Sequence, residues 1–255
     1  MTYSNIKEKF LIEYDKANIA SSYPSLMDYE IATLLDKAYL ALIAQKLTGN
    51  NPRRVGFEGD NKAIEDLRPL IRIKQIAGSN TFIVDGFPVS VLIDNEIDYT
   101  VPEDFLYYLQ SKCTLPTSIN NIGGDNFSTN MVEVNLVSHE LASKFMQTTH
   151  NYPWVEIPVC CMEDDRIRLF IDPMEKAKLV QSGAILPKLY LTYIKKPIKF
   201  TDFYQATNPM LEDQTVFELN DSMAEELINL AIIMATETVE SPRLTTKLNT
   251  RTLES

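Results

Sequence analysis

Near its C-terminal end the chain carries one segment that must be buried on almost every side. Ala224, Leu227, Ile228, Ala231 and Ala235 recur at helical spacing, and Leu230, Ile233 and Met234 fill much of the remaining surface. Ser222 and Glu225 have the spacing of a capping box at its start. A helix that is apolar all round needs other elements packed about it. The best sources lie at the opposite end of the chain. Ile6, Phe10, Tyr14 and Ala17 form a helical stripe from Ser4 to Asn18. A second helix is expected from about Leu26 to Leu47, with Ser25 and Asp28 as its cap. Its apolar residues make two stripes: Ile31, Leu34, Leu35, Ala38 and Leu42 on one, Tyr39, Ile43 and Leu47 on the other. Gly49-Asn50-Asn51-Pro52 stops it.

Between these ends the period changes. Asp60-Asn61 opens a third helical pattern through Ile64, Leu67, Leu70 and Ile71, with Pro69 expected to kink or end its first part. From Gly78 onward the sequence reads mainly as strands. Thr81–Val84 and Val89–Ile93 flank a turn at Asp85-Gly86. Pro102-Glu103-Asp104 has the form of a helix start, leading through Tyr108 into a strand near Cys113. Residues Asn120 to Asn130 read as a loop, Val132 to Val137 as a strand, and Ser138-His139-Glu140-Leu141 as the opening of a short helix. Ile157–Cys161 and Ile167–Ile171 form a hairpin about Glu163-Asp164-Asp165. Leu189 to Ile194 is the clearest strand, stopped by Pro197. The expected fold is α+β. Residues 1–78 and 210–240 make a helical domain, 79–209 an inserted β-rich domain, and 241–255 an extended tail. The tail has only Leu244, Leu248 and Leu253 as large apolar residues, too little burial to offset its backbone entropy.

Charge and chemistry narrow the function. The net charge of −11 opposes a protein that grips nucleic acid, because phosphate affinity comes from clustered Lys and Arg. Arg53-Arg54 and Lys195-Lys196 read as solvated pairs. Cys113, Cys160 and Cys161 are odd in number and make a poor disulfide framework, so all three are expected reduced. Met1 to Asn5 lacks a signal-peptide pattern, and the apolar run Leu227 to Ala235 is too short to span a bilayer. Of the two histidines, His139 could pair with Cys160 as a nucleophile couple, although neither sits in a motif and a packed thiol with a surface histidine accounts for both. Glu163-Asp164-Asp165 lacks the glycine and alternation of a calcium loop and reads as a solvated tip. Cys160-Cys161 lacks zinc-clamp spacing. Gly123-Gly124 has no following lysine to make a phosphate loop. Asn126-Phe127-Ser128 matches a glycosylation acceptor without a secretory context. Tyr190, Tyr193, Phe200, Phe203 and Tyr204 lack a basic groove and read as packing. No catalytic, metal or cofactor residue is assigned.

The order of elements resembles the head-to-tail adaptors, also called neck ring or tail tubular proteins, of short-tailed phages, and among these the ring proteins of crAss-like phages. Four stretches carry the resemblance: Tyr29-Glu30-Ile31-Ala32-Thr33-Leu34-Leu35-Asp36-Lys37-Ala38-Tyr39, Val101-Pro102-Glu103-Asp104-Phe105-Leu106, Leu191-Thr192-Tyr193-Ile194-Lys195-Lys196-Pro197, and Phe217-Glu218-Leu219 before the capped helix and polar tail. They cover well under half the chain. The resemblance implies a structural, non-enzymatic subunit of a homo-oligomeric ring, typically of twelve copies, in the virion neck. It also implies assembly after synthesis in the host bacterial cytoplasm. The expected partners are the portal protein and adjacent neck or tail rings, with genome DNA passing through the lumen unbound and no membrane involved. Ring contacts are heterologous, one patch meeting a different patch on the neighbour. Arg243, Leu244, Lys247, Leu248, Arg251 and Leu253 are therefore expected to order against an adjacent copy. Lumen-facing carboxylates would repel phosphates within about 8–10 Å in physiological salt. The alternatives are another phage tail or cargo protein, or a small hydrolase using a thiol or carboxylate.

Overall fold

Tyr3, Ile6, Phe10 and Tyr14 fall on one side of the first helix, and all four are buried. The computed structural model describes residues 1–17, 26–48, 61–77, 82–84, 87–89, 96–117, 128–147, 153, 158–170, 188–205 and 211–238. The protein is α+β and divides into two units. Residues 1–70 and 197–255 make the first, and residues 71–196 the second.

In the helical unit, α1 (Tyr3–Ala17), α2 (Asp28–Thr48) and α3 (Asn61–Leu67) accompany two short helices, α5 (Asp202–Gln205) and α6 (Leu211–Gln214), and the long α7 (Asp221–Thr238). A 3-10 turn, Arg68–Leu70, ends α3 where Pro69 interrupts it. α7 is buried nearly all round as its composition demands. Met223, Ala224, Leu227, Ile228, Ala231, Ile232 and Ala235 are each at most 1% exposed. α1 and α2 pack on it. Polar bonds fix the contacts: Lys9 pairs with Glu225, and Lys46 reaches both Asp66 (3.2 Å) and Glu226 (2.9 Å). Burial opposes the charge on Lys46, but the bonds to Glu226 and Asp66 outweigh it and its pKa is raised. The second stripe of α2 turns out to belong to this core, since Tyr39 and Ile43 are buried.

Side chains close the starts of both long helices. Glu30 accepts a bond from the Met27 amide (2.8 Å), which closes the start of α2, whereas the expected cap Ser25 lies outside the described residues. For α7 the cap is Asn220, whose side chain accepts from the Met223 amide (2.8 Å) and donates to Asp66 (3.1 Å); Ser222 lies within the first turn. Asp36 on α2 anchors the strand-to-helix return. Its carboxylate accepts from the amides of Phe200 (2.6 Å) and Thr201 (3.2 Å) and from the Thr201 hydroxyl (2.6 Å).

The second unit is a seven-stranded sheet in the order β1-β9-β5-β6-β7-β8-β4. Its strands are β1 (Ile71–Ala77), β4 (Glu96–Thr100), β5 (Phe105–Thr117), β6 (Ser128–Leu136), β7 (Val159–Glu163), β8 (Arg166–Phe170) and β9 (Lys188–Lys195). A separate hairpin pairs β2 (Phe82–Val84) with β3 (Phe87–Val89). All ladders in the main sheet are antiparallel except β6–β7, and α4 (His139–Gln147) lies between those two strands in the chain. The ladder between β5 and β9 is bulged between Phe105 and Gln110, which bends β5. The sheet curls until its edge strands β1 and β4 approach one another. A cleft of about 570 Å³ opens at that seam, lined by Lys74, Ile76 and residues 100–104.

Strands replace helix at two places. Ile71–Ala77 is β1, paired with β9 from Ile71↔Ile194 to Ala77↔Lys188, although Ile71 also completed a helical stripe. Pro102-Glu103-Asp104 forms a turn, with the Phe105 amide donating to the Pro102 carbonyl (3.0 Å), and β5 follows at once. The aromatic run Phe105, Tyr107, Tyr108 favours a pleated surface over a helix. β4 occupies Glu96–Thr100, where no element was expected, and β3 begins before Val89. The hairpin β7–β8 turns at Asp164-Asp165, and Asp164 takes a left-handed φ of 49°, a conformation Asp tolerates better than most residues.

Candidate functional site

β7 alternates its side chains between two faces of the sheet, and this separates two adjacent cysteines. Cys160 points into the core of the curl, among Tyr99, Cys113, Leu169, Leu191 and Tyr193. Its sulfur lies 3.9 Å from the Ser111 hydroxyl, which is 2.9 Å from the Tyr108 hydroxyl. Burial pushes the Cys160 thiol up to about 11 and Cys113 up to about 12. Both stay protonated near neutrality, whereas the thiolate is the nucleophile. The couple of Cys160 with His139 considered from the sequence is not formed, because Cys160 lies on the core face.

Cys161 lies on the other face, beneath α4. It packs with Ala142, Val159 and Phe170, and Val137 borders the cluster. Two residues further along β7, Glu163 faces the same way. His139, the first residue of α4, completes a cluster in which one ligating atom of each residue lies within 4.8 Å of the others. His139 Nδ1 is 3.6 Å from Glu163 Oε1, and Cys161 Sγ is 3.9 Å from the same oxygen. Arg168 on β8 holds the carboxylate with two contacts, Nη2 to Oε2 at 3.0 Å and Nη1 to Oε1 at 3.3 Å. Arg168 Nε in turn donates to Asp98 Oδ1 (3.1 Å) on β4. Asp98 is 6% exposed, and its Oδ2 has no hydrogen bond among the described residues, although Arg166 Nη1 stands 3.8 Å away. A chain of polar contacts thus crosses four elements, from β4 through β8 and β7 to α4.

The acidic hairpin is therefore only partly a solvated tip. Glu163 turns inward to Arg168, Asp165 pairs with Arg166 (3.4 Å), and the Asp165 carbonyl accepts from the Val101 amide (2.7 Å). The aromatic residues act in packing as expected. Tyr193 is buried against Phe105 and donates to Asp104 (2.9 Å); burial first, then that bond and the Asp104 charge, push its pKa up to about 12. Phe200 and Phe203 pack on Tyr3. The side chain of Tyr204 lies outside the described residues, as do Gly123-Gly124, Asn126-Phe127 and the tail positions Arg243, Leu244, Lys247, Leu248, Arg251 and Leu253.

Sequence reasoning missed Cys161 as the partner of His139. The strand alternation on Val159–Glu163 was a usable signal, since it puts Cys161 with Glu163 and Cys160 opposite. The pairing of β6 with β7 that brings His139 alongside has no local signal.

Fold and site together define a two-unit α+β protein with a helical unit built from both chain ends and a curled mixed sheet between them. No known protein family matches the chain. No characterised protein matches it either. Among the described residues, no helix is long and apolar enough to cross a membrane.

Proposed function

We propose that this chain is a structural subunit of a virion head-to-tail connector ring, extending the portal channel through which a phage genome passes. The resemblance of its element order to such adaptors is the starting point. The observation that carries the reading further is apolar surface on the helical unit. Met27 is 73% exposed, Tyr29 58% and Ile12 53%, with Leu11 and Leu40 also open. Single exposed apolar residues are ordinary. Here Tyr29 and Leu40 lie about three turns apart on one face of α2, so the exposure follows a helix side. Such a side is suited to burial by a second copy through a heterologous contact.

The partners in this reading are identical copies, the portal protein and adjacent neck or tail rings. DNA slides past without specific binding, in keeping with the net charge of −11. The tail from Arg243 to Leu253 lies on a neighbouring subunit. Native mass spectrometry and electron microscopy of the full chain, alone and with its portal, test the proposal. Closed rings are expected, and deleting residues 241–255 should weaken them while monomers stay folded by circular dichroism. A full-length chain that stays monomeric with its portal present, or rings indifferent to the deletion, would overturn it.

A further inference from the structure

The cluster under α4 has a use that the ring reading leaves open. We propose that His139, Cys161 and Glu163 form a binding site for one divalent transition-metal ion of the zinc class, which ties the start of α4 to β7. The proposal stands whether or not the chain forms rings.

The donor set is the first argument. An imidazole, a thiolate and a carboxylate are the ligands that borderline metals take, and the sulfur and nitrogen select against magnesium and calcium. Geometry is the second. Zinc bonds of about 2.0–2.3 Å at tetrahedral angles place ligand atoms about 3.3–3.7 Å apart. The His139–Glu163 and Cys161–Glu163 separations of 3.6 and 3.9 Å are close to this, and the whole set falls within 4.8 Å. The remaining separation, between His139 and Cys161, is also within 4.8 Å, and the His139 side chain is 63% exposed. Preorganisation is the third. Cys161 and Glu163 are fixed two residues apart on one strand face, and Arg168, itself held by buried Asp98, fixes the carboxylate through contacts to both of its oxygens. Outer partners of this kind commonly position metal ligands. Three protein ligands leave a fourth position for water on the exposed side. On binding, the Cys161 thiol gives its proton to solvent and the sulfur–metal bond forms, with no change of oxidation state.

The test titrates cobalt(II) into reduced, metal-free, full-length protein. The expected result is one equivalent bound, with a thiolate-to-cobalt charge-transfer band in the near ultraviolet and the visible bands of a four-coordinate ion, all displaced by one equivalent of zinc. Cys161→Ser should abolish the charge-transfer band, whereas Cys160→Ser should retain it. His139→Ala, at an exposed position, and Glu163→Gln, which keeps the side chain's size, should each lower affinity by ~10-fold or more while the far-ultraviolet circular dichroism is unchanged. Those two variants decide the matter should Cys161→Ser fail to fold. Absence of a thiolate band in the wild type, its survival in Cys161→Ser, or unaltered affinity in both His139→Ala and Glu163→Gln would each overturn the site.

Discussion

At the residue scale, the β unit is organised around groups that burial keeps protonated. Burial moves Cys160 from an ordinary 9.0 to about 11 and Cys113 from 9.0 to about 12. It moves Tyr108 and Tyr193 from 10.0 to about 12. Below about pH 9 all four hold their protons whether the chain is folded or not, and the stability they support is fully present. As pH rises from about 9 toward 12, the unfolded chain releases protons first, so the balance moves toward unfolding. The urea midpoint of the β unit should therefore be level from pH 7 to 8.5 and fall at pH 10 to 11. A midpoint that holds steady to pH 11 would contradict the buried placement of these groups. The same residue-level view explains why Cys160 and Cys161 differ so sharply: one strand position separates a sulfur in the core from one beside His139 and Glu163.

At the element scale, caps and strand boundaries decide most of the outcome. Asn220 satisfies the Met223 amide at the start of α7 and also donates to buried Asp66. Asn220→Ala should cost about 1–2 kcal/mol in chemical denaturation, whereas Ser222→Ala, in the exposed first turn, should be close to neutral. The reverse order would return the cap to Ser222. The long helices were legible because their apolar stripes are strong: Ile6, Phe10 and Tyr14 are buried, as are Leu227, Ile228, Ala231 and Ala235. β9 and the β7–β8 hairpin were legible for the same reason, through alternation and turn residues. β1 was not, because Ile71 continues the spacing of Ile64 and Leu67, and only pairing with β9 across 110 or more intervening positions makes it a strand. The Pro102 turn misled because proline and carboxylates at a strand entrance look like those at a helix start. The site suffered the same limit. The residue types were visible, but the parallel β6–β7 pairing that brings His139 to Cys161 is a tertiary choice.

At the scale of the whole molecule, each unit has a polar network of its own among the described residues. Asp36, Lys46, Asp66 and Glu226 serve the helical unit; Asp98, Glu163 and Arg168 serve the sheet. The ring proposal therefore makes a prediction confined to one of them. Replacing Tyr29 and Leu40 together by Glu should reduce assembly at least ~10-fold by sedimentation, because each buried interface charge without a partner is costly. The melting of the monomer should change little, since both side chains are exposed. Assembly equal to wild type would move the interface off this face of α2.

The first and last strands of the sheet lie side by side, Ile71 opposite Ile194. The polypeptide thus passes into the β unit and out of it at adjoining points, so a short peptide bridge could stand in for the entire excursion. Evolution could exchange such a cassette, or lengthen it, without re-routing the helices at either end.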